Sequence, residues 1–244
     1  SPPPRFLGCR IGRATMGDVP GEPQASHANG AAKPATVYVV RHGTTPWNQQ
    51  GIWQGEKDIE LAPEGIAEAE KQAEAFRESN IRFSRAISSD LKRAFKTAEI
   101  LGAELEVTPE PRLRECSLGE FEGMHRSDIR GPKYAHIFES LLQMPHEERV
   151  HKAYFDELET PKQMSDRAVA AVCEAACRHP GETVLAVTHS TIIESLLAVL
   201  MGARYEGIEM RRLAWFRMEV SAVDKEPKIV ELDGIKFVEG HAVK

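Results

Sequence analysis

Short apolar runs alternate along the chain with longer segments in which apolar residues recur every three to four positions. The short runs have the length and β-branched composition of strands, and the longer segments have the period of an amphipathic helix. One helical face carries Ile66, Ala69, Ala73 and Phe76, with acidic residues opposite. Strands are predicted at residues 36–41, 85–88, 105–108 and 183–188, helices at about 63–79 and 90–102, and a late strand pair at 213–221 and 228–232.

The run at 183–188 is typical of a central parallel strand that is covered on both faces. The helix after it is predicted to begin with a capping box of Thr191 and Glu194, and the helix at 90–102 with Ser89 or Asp90 as its cap. Because strands alternate with helices, the sequence predicts an α/β fold with a mostly parallel sheet between layers of helices.

One region, residues 119–162, interrupts this alternation because it holds no convincing strand. We predict a helical insertion that overhangs the carboxyl edge of the sheet and closes a pocket from above. Most of its basic side chains, taken singly, are expected to be solvated without touching a ligand. These side chains are Arg126, Arg130, Lys133, His136, His146, Arg149, His151 and Lys152.

Composition limits the function classes. The chain has 244 residues and a net charge of −6, so one sizeable core is expected over residues 36–244, and no basic field favours nucleic acid or a membrane surface. The four cysteines lack C-x-x-C spacing, and Cys173 and Cys177 are read as small buried residues of one helix face. Without an apolar run long enough for a membrane span, a soluble intracellular protein is expected, either cytoplasmic or organellar.

Residues 1–35 are rich in proline, glycine and alanine and show no apolar periodicity, which predicts a disordered leader. Arg5, Arg10 and Arg13, without an acid among the first fifteen residues, suggest the remnant of an organelle transit peptide. Alternatively, Met16 is the true start and the residues before it are extraneous. The sequence does not decide between the two.

Residues with catalytic chemistry follow the predicted strands at their carboxyl ends, where ligands bind in open α/β sheets. Arg41, His42 and Gly43 end the first strand, and His189 directly follows the strand at 183–188. A lone histidine at a strand end is usually structural. Two histidines at the ends of two parallel strands indicate a site.

Further groups are expected at the same edge of the sheet. Arg93 lies in the first turn of a helix, where free N–H groups already favour an anion. Glu115 follows the third strand and supplies a carboxyl group. Asn48, Gln54 and Gly55 lie on the loop after the first strand, where their amides can close on an oxyanion.

The candidate residues together match the requirements of a phosphoryl-transfer site. They supply two arginines, two histidines, one acid and several amides. Guanidinium groups disperse the charge of phosphate oxygens, an imidazole attacks in line, and a carboxylic acid protonates the leaving oxygen. The sequence has no P-loop and no aspartate pair with metal spacing. The arginines are therefore expected to replace Mg²⁺, and no metal or cofactor is predicted.

Four segments together resemble the signature of the histidine phosphatase superfamily in its phosphoglycerate mutase-like branch. They are Arg-His-Gly-x-Thr-x-x-Asn at 41–48, Ser-Ser-Asp-Leu-Lys-Arg-Ala at 88–94, Leu-Arg-Glu at 113–115 and Thr-His at 188–189. The resemblance covers about residues 37–220 and implies a three-layer α/β/α sandwich. It also implies that His42 is the phosphorylated nucleophile and Glu115 the proton donor. The phosphate pocket it implies consists of Arg41, Arg93 and His189, lined by Thr44, Asn48, Gln54, Gly55 and Ser190.

The chain departs from the family pattern at three places. Ser190 stands where glycine commonly follows the second histidine, and could cap the next helix. Ala62 replaces a threonine cap that it cannot mimic, and residues 160–165 replace a Gly-Glu-Ser element. None of these changes removes a catalytic group.

Three functions remain open at this point. The first is a metal-independent phosphatase that hydrolyses a small phosphorylated metabolite through phosphohistidine. The second is a mutase, for which the family resemblance implies Glu-Arg-x-Tyr-Gly after the acid, whereas residues 115–119 read Glu-Cys-Ser-Leu-Gly. The third is a non-catalytic phospho-ligand-binding domain, which would be expected to have lost a catalytic group. The first is favoured, and the substrate and the oligomeric state stay open.

Overall fold

Strands and helices alternate in the folded chain as the apolar pattern predicts. The computed structural model describes residues 33–202, 208–221 and 226–237. The predicted leader therefore falls almost entirely outside the described residues, as does the turn between the last two strands. Ala35, the last residue of that predicted leader, already belongs to the first strand.

The strands are β1 Ala35–Arg41, β2 Arg85–Ser88, β3 Val107–Pro109, β4 Thr183–Thr188, β5 Ile208–Val220 and β6 Pro227–Phe237. The α-helices are α1 Pro46–Gln50, α2 Pro63–Glu78, α3 Lys92–Gly102, α4 Arg126–Ile129, α5 Ala135–Gln143, α6 His146–Arg149, α7 Pro161–Arg178 and α8 Ser190–Met201. Two 3₁₀ turns lie at Pro111–Leu113 and Gly119–Phe121.

The strands form one mixed sheet in the order β3-β2-β4-β1-β5-β6. β1, β2, β3 and β4 run parallel, and β5 and β6 join the far side of β1 in antiparallel pairing. The carboxyl ends of the four parallel strands therefore meet at one edge of the sheet. This edge is where the sequence places its candidate chemistry.

β1 divides its side chains between two cores because neighbouring strand residues point to opposite faces. Val37 and Val39 pack with residues of α7 and α8, whereas Tyr38 and Val40 pack with residues of α2 and α3. All four side chains are buried. The sheet thus lies between two helical layers, which confirms the predicted three-layer α/β/α sandwich.

The predicted helix caps are wrong in two places. α8 begins at Ser190 with His189 as its N-cap, so Thr191 is already inside the helix and neither the Thr191–Glu194 box nor a Ser190 cap forms. α3 has Leu91 as its N-cap, without a side-chain bond from it. A distant loop residue supplies the missing acceptor there, because Asp58 Oδ1 accepts from the Lys92 N–H at 2.7 Å.

Some strand bounds also differ from prediction. β3 begins at Val107 rather than at residue 105, and β5 begins at Ile208 rather than at residue 213. The added length of β5 pairs with β6, which itself extends to Phe237. The alternation of apolar and polar residues along one strand does not reveal how far that strand pairs with its neighbour.

The insertion at 119–162 is helical, as predicted, and carries α4, α5 and α6. It has an aromatic cluster of its own, in which the rings of Phe121 and Phe155 stack at 4.0 Å and Tyr134 packs edge-on to both. His146 contacts the carbonyl of Ala198 on α8 at 3.0 Å. Elsewhere, Cys173 and Cys177 are half-buried against the main core.

The loop after β1 lies so close to α2 that only glycine fits at the contact. A Cβ on Gly65 would lie 2.1 Å from the Thr44 carbonyl oxygen, and a Cβ on Gly43 would lie 2.6 Å from the Gly65 carbonyl oxygen. Thr44 also donates its N–H and its hydroxyl to the Glu68 carboxylate, each at 2.9 Å. These contacts fix the loop that follows His42.

We expect Gly65→Ala to lower the free energy of unfolding by about 1–3 kcal/mol, because overpacking a rigid contact forces the backbone apart. Gly102→Ala is the matched control, since its Cβ would meet only ordinary contacts, the nearest at 3.6 Å. Denaturant titration of the three proteins measures the difference. Equal stability of the two variants would contradict the importance of this contact.

Candidate active site

The carboxyl edge of the sheet gathers the five principal residues of the predicted site. Arg41, His42, Arg93, Glu115 and His189 are all buried, with side chains between 0% and 8% exposed. The two histidine rings lie 5.1 Å apart between centroids. The charge of Arg93 acts on the pKa of both histidines and of Glu115. The residues that the sequence places on separate segments therefore form one cluster.

His42 is held in a defined tautomer. Its Nδ1 lies 2.7 Å from the Gly43 carbonyl oxygen, and because a carbonyl only accepts, Nδ1 must carry the proton. Nε2 is then the ring nitrogen with the free lone pair. Burial and the charges of Arg93 and Arg41 hold the pKa of His42 well below its usual value. The imidazole is therefore neutral at physiological pH.

His189 is neutral for the same physical reasons. Burial, Arg93 and His42 hold its pKa well below the usual value. Its Nε2 lies 2.9 Å from Ser89 Oγ, and within the described part of the chain its buried Nδ1 has no hydrogen-bond partner. Ser89, which the sequence marks only as a helix-cap candidate, thus orients the second histidine.

Backbone carbonyls, and no carboxylate of the described residues, hold the two buried arginines. Arg41 donates from Nη1 to the Met210 carbonyl at 2.9 Å, and Arg93 donates to the carbonyls of Gly55 and Lys57, each at 2.7 Å. No ion pair to either arginine occurs among the described residues, and neither Nε has a hydrogen-bond partner there. The carbonyl oxygens hold both guanidinium groups without forming an ion pair with them.

Burial also changes the acid–base properties of the charged groups around this pocket. It lowers the pKa of Arg41 to about 10 and lowers that of Arg93, so both stay protonated at neutral pH. It raises the pKa of Glu115, against the opposing charge of Arg93. The Glu115 carboxyl accepts from the N–H groups of Cys116 at 3.0 Å and Thr191 at 3.4 Å. A raised pKa favours the protonated form that an acid catalyst needs.

The other predicted pocket residues make mainly supporting contacts. Asn48 Oδ1 accepts from the Thr45 N–H in the capping box of α1, and Gln54 Oε1 accepts from the Thr45 hydroxyl at 3.0 Å. Gly55 contributes its carbonyl to Arg93, Thr44 is engaged with Glu68, and Ser190 is half-buried at the start of α8. Their proposed contacts to a phosphate stay predictions.

A sequence model of the histidine phosphatase superfamily, branch 1, matches residues 37–233. The chain belongs to this superfamily. Phosphoglycerate mutase-like protein 4 of Arabidopsis thaliana is 36% identical over 171 residues, which are 66% of this chain and 69% of the relative. A probable phosphoglycerate mutase, GpmB of Proteus mirabilis, is 30% identical over 190 residues, which are 77% of this chain and 84% of the relative.

Solved structures of the superfamily show the same fold. Phosphoserine phosphatase from Entamoeba histolytica superposes with a TM-score of 0.68 at 21% identity, covering 81% of this chain and 96% of that one. A mycobacterial glucosyl-3-phosphoglycerate phosphatase superposes with a TM-score of 0.67 at 25% identity, covering 82% and 98%. Members of the histidine phosphatase superfamily are phosphatases or mutases, and this chain is an enzyme of that superfamily.

Two site residues were missed by sequence reasoning. Glu194, expected in a helix cap, is half-buried and lies within electrostatic reach of Arg41 and Glu115. Arg212 acts on the pKa of both Arg41 and His42. It stands in a bulge of β5 between Met210 and Trp215, where Leu213 has a φ of 53°. The basic pair at 211–212 is a sequence feature that could have marked a candidate site residue. Its position beside β1, however, depends on that bulge.

The basic side chains of the insertion differ in their relation to the site. Arg126 and Arg130 on or beside α4 are exposed, and both act electrostatically on Glu194. Lys133 instead lies over the Tyr134 ring at 4.7 Å and is fully exposed to solvent. Arg149 is buried and donates to the Met144 carbonyl, which is a structural role.

Two further properties apply to the described residues alone. No group of three or more histidine, cysteine, aspartate or glutamate side chains is placed to hold a metal ion there. Within the same residues, no helix combines the length and apolar character needed to cross a membrane.

Glu194 is a carboxyl group whose ionisation is expected to affect the site near neutral pH. Burial raises its pKa to about 7, with Arg41 opposing and Glu115 reinforcing the rise. Above that pH its carboxylate adds a negative charge within electrostatic reach of Arg41 and Glu115. We therefore expect kcat/KM to fall as pH rises through about 7 and Glu194→Gln to remove this component, with a difference of about threefold to tenfold at the alkaline end.

The pH profiles of kcat/KM for wild type and Glu194→Gln measure this effect. Glu104→Gln, an exposed change on the loop before β3, is the control and should leave the profile unchanged. Superimposable profiles for wild type and Glu194→Gln would show that Glu194 does not act on the site.

Proposed function

We propose that this protein is a metal-independent phosphatase that hydrolyses a small phosphorylated metabolite through a phosphohistidine on His42. The observation that carries this proposal is the neutral His42 ring, with its lone pair on Nε2, beside two buried arginines that form no ion pair with a carboxylate of the described residues. Such guanidinium groups disperse the charge of a transferring phosphoryl group and so take the role that metal ions have elsewhere.

The first step transfers the phosphoryl group to the enzyme. The Nε2 lone pair of His42 forms a bond to phosphorus, and the bond from phosphorus to the ester oxygen breaks with its electron pair on that oxygen. The Glu115 carboxyl gives its proton to the leaving oxygen, which departs as an alcohol. The unpaired N–H groups of Arg41 and Arg93, with Nδ1 of His189 in its protonated tautomer, supply donors for phosphate oxygens.

The second step regenerates the enzyme. The Glu115 carboxylate takes a proton from water as the water oxygen bonds to phosphorus. The bond from Nε2 to phosphorus then breaks, and its electron pair returns to the ring. Inorganic phosphate leaves, His42 is neutral again and Glu115 is protonated again. The raised pKa of Glu115 suits both proton transfers, the donation to the leaving oxygen in the first step and the uptake from water in the second.

A phosphoglycerate mutase-type transfer is the second candidate, because relatives of this chain are named as mutases. It shares the first step but returns the phosphoryl group to another hydroxyl before water can react. The Glu-Cys-Ser-Leu-Gly sequence at 115–119 favours the phosphatase. Loss of catalysis, as in a pure binding domain, is disfavoured because nucleophile, acid and both arginines are present.

The phosphoenzyme itself is the direct test. Incubation with radiolabelled p-nitrophenyl phosphate and an alkaline quench should trap a label that is acid-labile and alkali-stable. We expect His42→Ala to abolish this label and to reduce kcat by about 10³-fold or more, because the covalent route is lost. His136→Ala, an exposed histidine on α5, should behave as wild type.

Equal hydrolysis by wild type and His42→Ala would disprove the mechanism. The lifetime of the label separates the two candidate reactions. Rapid release of phosphate to water supports a phosphatase, whereas a label stable in water and discharged by a phosphoglycerate acceptor supports a mutase.

The proposed substrate carries a second anionic group near Arg126 and Arg130. Solved neighbours bind phosphoserine or 3-phosphoglycerate, which supports a small phosphorylated substrate of this kind. We expect the double change Arg126→Gln and Arg130→Gln to raise the Ki of 3-phosphoglycerate about tenfold, against p-nitrophenyl phosphate as substrate, a difference of about 1.4 kcal/mol. The KM of p-nitrophenyl phosphate, which lacks a second anion, should stay the same.

Lys133→Gln is the control, because its side chain is fully exposed over Tyr134. We expect it to leave the Ki within about twofold, as is usual for a solvated surface charge. An unchanged Ki in the double variant would remove these arginines from the binding site.

A further inference from the structure

The turn that carries Glu115 is held by an unusual concentration of hydrogen bonds. Nη1 of Arg167 donates to the carbonyls of Arg112 and Arg114, at 2.7 and 2.8 Å. The Thr188 hydroxyl at the end of β4 donates to the intervening Leu113 carbonyl at 2.7 Å. Three successive carbonyls immediately before the proposed acid are therefore fixed by side chains from two different elements.

The other side of the Arg167 guanidinium binds a carboxylate. Nε and Nη2 donate to the two oxygens of Glu159 at 2.7 and 2.8 Å, in the bidentate arrangement that matches both groups. Glu159 lies at the end of the 119–162 insertion, directly before the N-cap of α7. One side chain thus connects the Glu115 turn to the end of the insertion.

Arg167 projects from a rigid part of the fold. Its helix neighbours Met164 and Ala168 are 2% and 0% exposed and belong to the main core. The Arg167–Glu159 pair is itself partly shielded, with side-chain exposures of 20% and 36%. An ion pair on a fixed helix with a bidentate geometry positions its neighbours more firmly than an exposed pair does.

We propose that Arg167 is a positioning residue, which holds the Glu115 carboxyl where the leaving oxygen of the substrate takes up its proton. This inference rests on the phosphohistidine mechanism proposed above. Arg167 acts through the backbone of residues 112–114 and not by contact with the phosphate. Its loss should therefore impair proton donation and leave phosphate binding intact.

The dependence on the leaving group tests this role. A good leaving group such as p-nitrophenolate needs no proton, whereas the alkoxide of β-glycerol phosphate does. The ratio kcat/KM reports only the steps through phosphoryl transfer to His42, so slow dephosphorylation does not obscure it. We expect Arg167→Met to lower kcat/KM about 10- to 100-fold for β-glycerol phosphate and less than about threefold for p-nitrophenyl phosphate.

Reference variants make the result decisive. Glu115→Gln should show the same leaving-group dependence in stronger form, and Arg178→Met, an exposed change on the same helix, should show none. Arg167→Lys keeps the positive charge but cannot hold two carbonyls and a carboxylate in one plane. If the planar geometry of the guanidinium group is what matters, Arg167→Lys should show the same leaving-group dependence of kcat/KM as Arg167→Met. If the positive charge alone is enough, Arg167→Lys should behave as wild type.

Thr188→Val provides a second route to the same conclusion if Arg167→Met folds poorly. It removes only the bond to the Leu113 carbonyl and should shift the leaving-group dependence in the same direction by a smaller factor. The Ki of inorganic phosphate should stay within about twofold in each variant, because the arginine pocket is not touched.

Several outcomes would overturn the proposal. An equal loss for both substrates in Arg167→Met and Thr188→Val would indicate general disruption of the fold. Unchanged kcat/KM in both variants would show that the turn before Glu115 keeps its conformation without these two side chains. If His42→Ala and Glu115→Gln were themselves fully active, the underlying mechanism would fail, and that result is distinct from a failure of Arg167 alone.

Discussion

The parallel pairing of β1 with β4 is the interaction on which the site depends. In this register Arg41 lies opposite Thr188, and the His42 N–H donates to the Thr188 carbonyl at 3.0 Å. The next residue of each strand is a histidine, so His42 and His189 leave the sheet side by side. A slip of one residue would turn one strand's side chains to the opposite face and separate the two rings.

Burial without a contacting carboxylate explains the electrostatics of the site. Arg41 and Arg93 are held by carbonyl dipoles, which fix the guanidinium groups but do not neutralise them. Burial, reinforced by their charges, lowers the pKa of His42 and so keeps its lone pair free. Desolvation meanwhile raises the pKa of Glu115 beside the same cations. The same burial therefore favours a neutral imidazole and a protonated carboxyl group, the two forms that phosphoryl transfer to histidine requires.

The sequence predicted those features that depend on strand ends and helix starts. Because parallel strands end at a common edge of the sheet, the sequence could place His42 and His189 there. It could also place Arg93, because Arg93 lies in the first turn of α3, the helix that follows β2. The position of Arg212 could not be predicted in this way. It depends on a bulge in β5, and the periodicity of the sequence does not reveal a bulge. Glu194 was misread for a related reason. A Thr-x-x-Glu pattern fits a capping box, yet the N-cap of α8 is His189, two residues earlier, and Glu194 instead lies within electrostatic reach of Arg41.

The division between sheet and insertion explains how one superfamily can hold several reactions. The groups that would handle phosphate lie on β1, α3, β4 and the turn after β3, all anchored in the main core. The insertion packs around aromatic rings of its own, among them Phe121, Tyr134 and Phe155, and contributes the exposed Arg126 and Arg130 near the site. Under the proposed mechanism, changes there could alter contacts to the leaving group without disturbing His42. The Arg167–Glu159 pair directly connects the end of the insertion to the turn before Glu115, so under the proposed mechanism the insertion would affect the acid as well as the substrate.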